Sequence, residues 1–221
     1  MKKFRQLIFL ICGLLLTLAA FPVFAQEEKT VSEIQISRKP LQDFEKLIRK
    51  EIATGKVDLS KSFLIELEGV LDKNGRLNAK ESSFVKSEGD AVVVDIAKSF
   101  VGAVADSGWL VYLRQIDVEK MNLTFAQDDS QTYAVVVSEL PTAERAERVA
   151  SALNRMVSMA LERKEIEAEG IDQDEKFLIG GIKAERADKI LTIRLTYEKS
   201  AVRELINRLL KENKTKQSSE K

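Results

Sequence analysis

Phe63-Leu64-Ile65-Glu66-Leu67-Glu68-Gly69-Val70 is the stretch that decides the fold of this chain. Phe63, Ile65 and Leu67 fall on one side of an extended backbone, with Glu66 and Glu68 on the other. That two-residue period is the signature of a strand buried on one face. Asp72-Lys73-Asn74-Gly75 follows it, and Asn-Gly accepts the positive φ values that a tight turn needs. Leu77 and then Phe84-Val85 resume the strand pattern, and Ser87-Glu88-Gly89-Asp90 breaks it. Val93, Ile96, Ala97, Phe100, Val101 and Val104 then recur at steps of three and four, which predicts a helix lying on the sheet. Ser107-Gly108 closes that helix, and Trp109-Leu110-Val111-Tyr112-Leu113 reads as a third strand.

The same signals extend outward in both directions. Upstream, Ile34 and Ile36 alternate with Glu33 and Gln35 as a short strand. Pro40 opens a helix carrying Leu41, Phe44, Leu47, Ile48 and Ile52, with Gly55 as its stop. Downstream, residues 121–126 and 132–139 read as two strands joined by Gln127-Asp128-Asp129-Ser130. Thr142 caps a long helix striped with Ala146, Val149, Ala150, Leu153, Val157, Ala160 and Leu161. Residues 177–185 read as a strand interrupted by Gly180-Gly181. Residues 190–197 form another strand, and Val202, Leu205, Ile206, Leu209 and Leu210 a final helix. Strands in hairpins with helices between them imply an α+β fold, antiparallel hairpins packed by amphipathic helices.

Composition narrows the chemistry. The 221 residues include no histidine and one cysteine, with 35 Lys+Arg against 35 Asp+Glu. A Ser-His-Asp triad, a Cys-His pair and a His-ligated zinc site are therefore excluded. Residues 1–26 have the form of a secretory signal. Lys2, Lys3 and Arg5 precede an apolar run, and Val23-Phe24-Ala25 supplies the small residues of a cleavage site. The run is shorter than the roughly 20 residues that cross a bilayer comfortably, so cleavage is expected and a retained anchor is the alternative. Loss of 25 residues, three of them basic, leaves 196 residues with 32 basic and 35 acidic side chains. The lone Cys12 leaves with the signal, so the mature core must hold without disulfides. Mild acidity and the lack of a basic stripe argue against nucleic acid.

Each candidate catalytic motif has a plainer reading. Ser83-Phe84-Val85-Lys86 matches S-x-x-K, but that chemistry needs one helical turn and two partner motifs absent from this chain. In a strand, Ser83 and Lys86 are expected on opposite faces. Asp72 to Gly75 resembles the start of a calcium loop, yet glycine arrives at the fourth position where such a loop needs it at the sixth. Asp128-Asp129 with Asp172 or Asp174 is at most a weak cation site, and Asn122-Leu123-Thr124 and Asn213-Lys214-Thr215 are sequons. Trp109, the only tryptophan, is read either as a partner anchor or as a plug beneath the sheet.

A strand ending at Leu71, the turn at Asp72 to Gly75 with Leu77 after it, Ser87-Glu88-Gly89-Asp90, and a helix opening at Val94-Asp95-Ile96-Ala97 together resemble the C-terminal domain of TonB- and TolA-type energy transducers. The resemblance covers about residues 63–110 and implies a small unit exposed to the periplasm. Such units bind short peptide segments by adding a strand at a free sheet edge. The chain departs from the family in having only Pro40 and Pro141 in its mature part, with no Pro-rich spacer and no proline in the run Trp109-Leu110-Val111-Tyr112. The fold is thus expected to carry over, and force transmission from an inner membrane is not.

The organisation expected is a signal peptide at 1–25, a strand and helix lead-in at 26–57, a TonB C-terminal-like α+β unit at 58–115, a second α+β unit at 116–213 and a disordered tail at 214–221. The function expected is a periplasmic or secreted non-catalytic module that binds a protein or peptide partner of the cell envelope at a sheet edge. No catalytic, cofactor or metal residue is nominated, and membrane contact is expected only if the N-terminal segment stays uncleaved. The candidate contact residues are Trp109, Leu110, Val111, Tyr112 and Leu113, then Asp72, Asn74 and Gly75. A TonB-like transducer with an uncleaved anchor, and a periplasmic hydrolase using carboxylates or a metal, are the alternatives.

Overall fold

The computed structural model describes residues 36–166 and 173–218. The signal segment, Ile34 and Asp172 therefore lie outside the described residues. Six strands form one antiparallel sheet: β1 (Phe63–Val70), β2 (Ser83–Gly89), β3 (Lys120–Gln127), β4 (Gln131–Glu139), β5 (Ile182–Ala187) and β6 (Ile190–Glu198). Their order across the sheet is β2-β1-β3-β4-β6-β5. Among the described residues six helices accompany them: α1 (Lys39–Ala53), α2 (Ala91–Asp106), α3 (Val111–Gln115), α4 (Ala143–Ile166), α5 (Gln173–Gly180) and α6 (Lys199–Ser218). The architecture is α+β. Each of three consecutive strand pairs is followed by a helix, α2, α4 and α6 in turn.

The alternation read in β1 sets the inner face of the sheet. Phe63, Ile65 and Leu67 are buried and lie opposite Gln127, Phe125 and Leu123 of β3. Val136 continues this face on β4, with Ile193 opposite it on β6 and then Ala184 on β5. Leu41 of α1, Val93, Ala97 and Val101 of α2, Tyr112 of α3 and Val149 and Leu153 of α4 complete the same core. A chain of aromatic contacts ties α1 to the sheet. Phe44 meets Phe100 at 5.4 Å, Phe100 meets Phe125 at 5.9 Å, and Phe125 meets Phe63 edge-on at 5.0 Å. The boundary expected at 115 falls between α3 and β3, and β1 pairs with β3 along its whole length. The two halves thus share one sheet and one core.

Local chemistry explains where elements start and stop. Pro40 sits in the first turn of α1, where its missing N–H costs nothing. Asp90 caps α2, its carboxylate accepting from the amides of Val92 and Val93 at 3.1 and 3.2 Å. The Thr142 hydroxyl accepts from the Arg145 amide at 3.1 Å to open α4. The hydroxyl also stands near Glu144, whose carboxyl is held below its usual range chiefly by a backbone amide, as befits a first-turn acid.

Two expected strands are corrected. Residues 109–113 run into α3 rather than forming a strand, and all five side chains are buried. A strand in an antiparallel sheet open on one side would expose every second residue. Five consecutive apolar side chains are instead all hidden by a short helical turn beneath the sheet. Residues up to Gly180 form α5, and the strand begins only at Ile182. Gly181 between them lies against the Tyr197 ring, where an added Cβ would come within 2.1 Å of a ring carbon. The Tyr197 hydroxyl donates to the Leu178 carbonyl at 2.6 Å, which fastens α5 to β6. Among the described residues, no helix is long and apolar enough to cross a membrane.

Candidate functional site

An open sheet has two edges, and here they are treated in opposite ways. The β5 edge is covered by α4. Asn154 donates from Nδ2 to the Ala184 carbonyl at 2.7 Å and accepts the Ala184 amide on Oδ1 at 2.9 Å. One side chain thereby occupies the donor and the acceptor that Ala184 turns away from β6. Arg186 of β5 also pairs with Glu147 of α4, and this guanidinium, with the Ser151 hydroxyl, holds the Glu147 carboxyl below its usual range. Covering an edge in this way blocks pairing with another chain.

Among the described residues, the β2 edge has no such cover. All seven residues of Ser83-Phe84-Val85-Lys86-Ser87-Glu88-Gly89 are exposed. Its inner neighbour β1 satisfies one side of the backbone through the pairs Phe63 with Gly89, Leu64 with Glu88, Ile65 with Ser87 and Glu66 with Lys86. Every second amide and carbonyl on the outer side is left to solvent. Two large apolar side chains stand on this strand, Phe84 at 37% and Val85 at 53% exposure, and Val92 at 43% follows in the first turn of α2. Lys98 of α2 places its ammonium 5.4 Å from the centre of the Phe84 ring. On the other face of the strand Lys86 pairs with Glu88 at 3.3 Å.

The register shifts between Glu66 and Leu67, which pair with Lys86 and Phe84. Val85 is therefore the extra residue of a β-bulge. The bulge corrects the expectation that Ser83 and Lys86 point to opposite faces. Ser83 pairs with Glu68 and Lys86 with Glu66, so both share the face away from the core. They stand on a strand, not on one helical turn, and the Lys86 ammonium is engaged by Glu88.

The residues nominated from sequence are brought together, but not as an edge. Trp109, Leu110, Val111, Tyr112 and Leu113 are 2–9% exposed. Asp72 accepts the amides of Asn74 and Arg76 at 2.8 and 2.9 Å, and both Asp72 and Asn74 are exposed. Gly75, at φ +70°, presses directly on the start of α3, where an added Cβ would lie 1.8 Å from the Val111 amide nitrogen. The turn and α3 thus form one packed junction. Sequence reasoning passed over β2 because Ser87-Glu88-Gly89 carries turn-type residues. The signal that could have found it is the unshielded pair Phe84-Val85 beside that polar run.

Of the loop acids, Asp128 is structural, and the side chain of Asp174, like Asp172, lies outside the described residues. Asp128 accepts from the Ser130 and Gln131 amides at 2.7 Å each and from the Ser130 hydroxyl at 2.9 Å. These bonds hold its carboxyl below the ordinary aspartate range and close the β3–β4 turn. Among the described residues, no group of three or more His, Cys, Asp or Glu side chains could hold a metal ion. Asn122 of the first sequon is exposed on β3.

No family model, curated protein or solved structure matches this chain.

Proposed function

We propose that this chain is an exported, non-catalytic binding module that captures an extended polypeptide segment by adding it as a strand to the edge of β2. The observation that carries this reading is the asymmetry of the two edges. β5 is fastened beneath α4 through Asn154, whereas all seven residues of β2 are exposed. Backbone donors and acceptors supply affinity in this mode of recognition, and side chains on alternate positions supply selectivity. Phe84 and Val92 offer an apolar strip on the helix side, and Lys86 and Glu88 offer charge on the other. The mode requires no titrating group, in keeping with a chain that lacks histidine. A place in the periplasm or outside the cell, and kinship with TonB-type C-terminal domains, belong to the same proposal. They rest on the signal-like N-terminus and on the strand–turn–strand–helix order of residues 63–110.

Photo-crosslinking in the native host tests it. A benzophenone amino acid placed at Val85 should yield covalent adducts, and one placed at Lys183 on the covered edge should not. A Val85 probe that gives no adduct in folded protein, or adducts equal at both edges, would overturn the proposal.

A further inference from the structure

We infer that the β2 edge also pairs with β2 of a second copy of this chain, in a two-fold antiparallel arrangement centred on Ser87. The inference rests on the reading of β2 as a free edge and adds the identity of one strand that fits it.

The flat part of the edge is short. The bulge at Val85 ends it on one side, and Gly89, at φ +106°, ends it on the other. A two-fold pair must lie within Lys86-Ser87-Glu88-Gly89, and centring on Ser87 uses that run best. Ser87 then faces Ser87 of the second copy, small against small. Lys86 faces Glu88 of the second copy, and by symmetry Glu88 faces its Lys86. Both side chains already stand on the sheet face away from the core, because their partners on β1 are Glu66 and Leu64. Directly opposite unlike charges on one face favour a strand pair, and like charges oppose it.

The flanking positions agree with the same register. Val85, bulky and 53% exposed, faces Gly89 of the second copy, which has no side chain to obstruct it. Phe84 falls beside Asp90 at the start of the second copy's α2, within reach of its exposed Val92. Lys98, which lies over Phe84, is carried toward that Asp90 carboxylate. The edge is thus basic toward Phe84 and acidic toward Asp90, and an antiparallel copy reverses that polarity. Centring one residue earlier would set Lys86 against Lys86 and Phe84 against Glu88. One strand and one helical turn on each side make a small interface, so the association is expected in roughly the micromolar range. A strand from another protein would compete with the second copy for the same backbone groups.

The test is sedimentation equilibrium of the purified chain, alone and in charge-reversed forms. The unaltered chain should show a monomer–dimer equilibrium. Lys86→Glu alone and Glu88→Lys alone should each weaken it about tenfold or more, because every opposed pair becomes like-charged. An equimolar mixture of the two variants should regain dimer, since each now presents the other's complement. Both side chains are exposed, and circular dichroism of each variant confirms that it is folded. A purely monomeric chain at about 100 μM, or reversals that leave the dimer unchanged, or a mixture that fails to regain it, would overturn the inference. The in-cell Val85 probe separates this failure from that of the binding reading. Adducts only to other proteins would sink the second copy and leave strand capture standing, whereas no adduct at all would sink both.

Discussion

Replacing Asn154 with alanine removes the side chain that closes the β5 edge. Two hydrogen bonds disappear, one donated to the Ala184 carbonyl at 2.7 Å and one accepted from its amide at 2.9 Å. Each bond of this kind contributes about 0.5–1.5 kcal/mol net, so the loss is ~1–3 kcal/mol. Alanine is the better helix former by up to ~0.7 kcal/mol, which masks part of that loss. Asn207→Ala on the exposed side of α6 has the same gain in propensity with no strand contact, and serves as the reference. In urea unfolding, Asn154→Ala is expected to be less stable than Asn207→Ala by ~1–3 kcal/mol. For a chain of this size each kcal/mol corresponds to ~2–4 °C in Tm. The unfolding slope should stay the same, because the surface exposed on unfolding hardly changes. A difference below ~0.3 kcal/mol would mean that α4 merely lies near β5 and does not fasten it, and the contrast between the edges would lose its basis.

Three further outcomes follow from the packing. Gly75→Ala places a Cβ on the α3 backbone and should cost ~3 kcal/mol or more in urea unfolding, whereas Gly55→Ala, also at positive φ but with open space around it, should cost only ~1–2 kcal/mol; equal costs would contradict the turn–α3 junction. Asp128 has a folded pKa below its ordinary value of 3.8, so its contribution is complete above that value and is lost as pH falls through the lower, folded pKa. Asp128→Ala should therefore be less stable than the unaltered chain at pH 7, with the gap closing only below about pH 4; a pH-independent gap would show that the hydrogen bonds to its carboxylate are not the cause. Trp109 is the sole tryptophan and 2% exposed, so its fluorescence should be blue-shifted and poorly quenched by acrylamide; ready quenching would return it to the surface as a partner anchor.

What the sequence revealed and what it concealed divide on physical lines. β1, β6 and α4 were legible because each buries one face, and burial on one face prints a period on the chain. The α+β class followed from them. The run at 109–113 was misread because an element buried on all sides has no period, so an apolar pentapeptide fits a strand and a helical turn equally well. The Val85 bulge was invisible because a one-residue slip leaves no mark in composition. β2 was undervalued for a related reason: an edge strand exposed along its whole length has no apolar alternation to announce it, and Ser87-Glu88-Gly89 reads as a turn. The covering of β5 was equally hidden, since it depends on one asparagine meeting a strand 30 residues away. The site thus emerged from a comparison of two edges, which only the fold supplies.

Residue-resolved amide exchange on the dilute, monomeric chain tests that comparison most directly. The outward-facing amides of β2, on alternate residues to either side of the Val85 bulge, should exchange at nearly solvent rates, while the Ala184 amide on β5 stays protected by Asn154. Addition of a bound strand, or concentration of the chain, should then slow the β2 amides and leave Ala184 unchanged. Uniform protection along β2 in the dilute monomer, or an Ala184 amide that exchanges as fast as those of β2, would contradict the account.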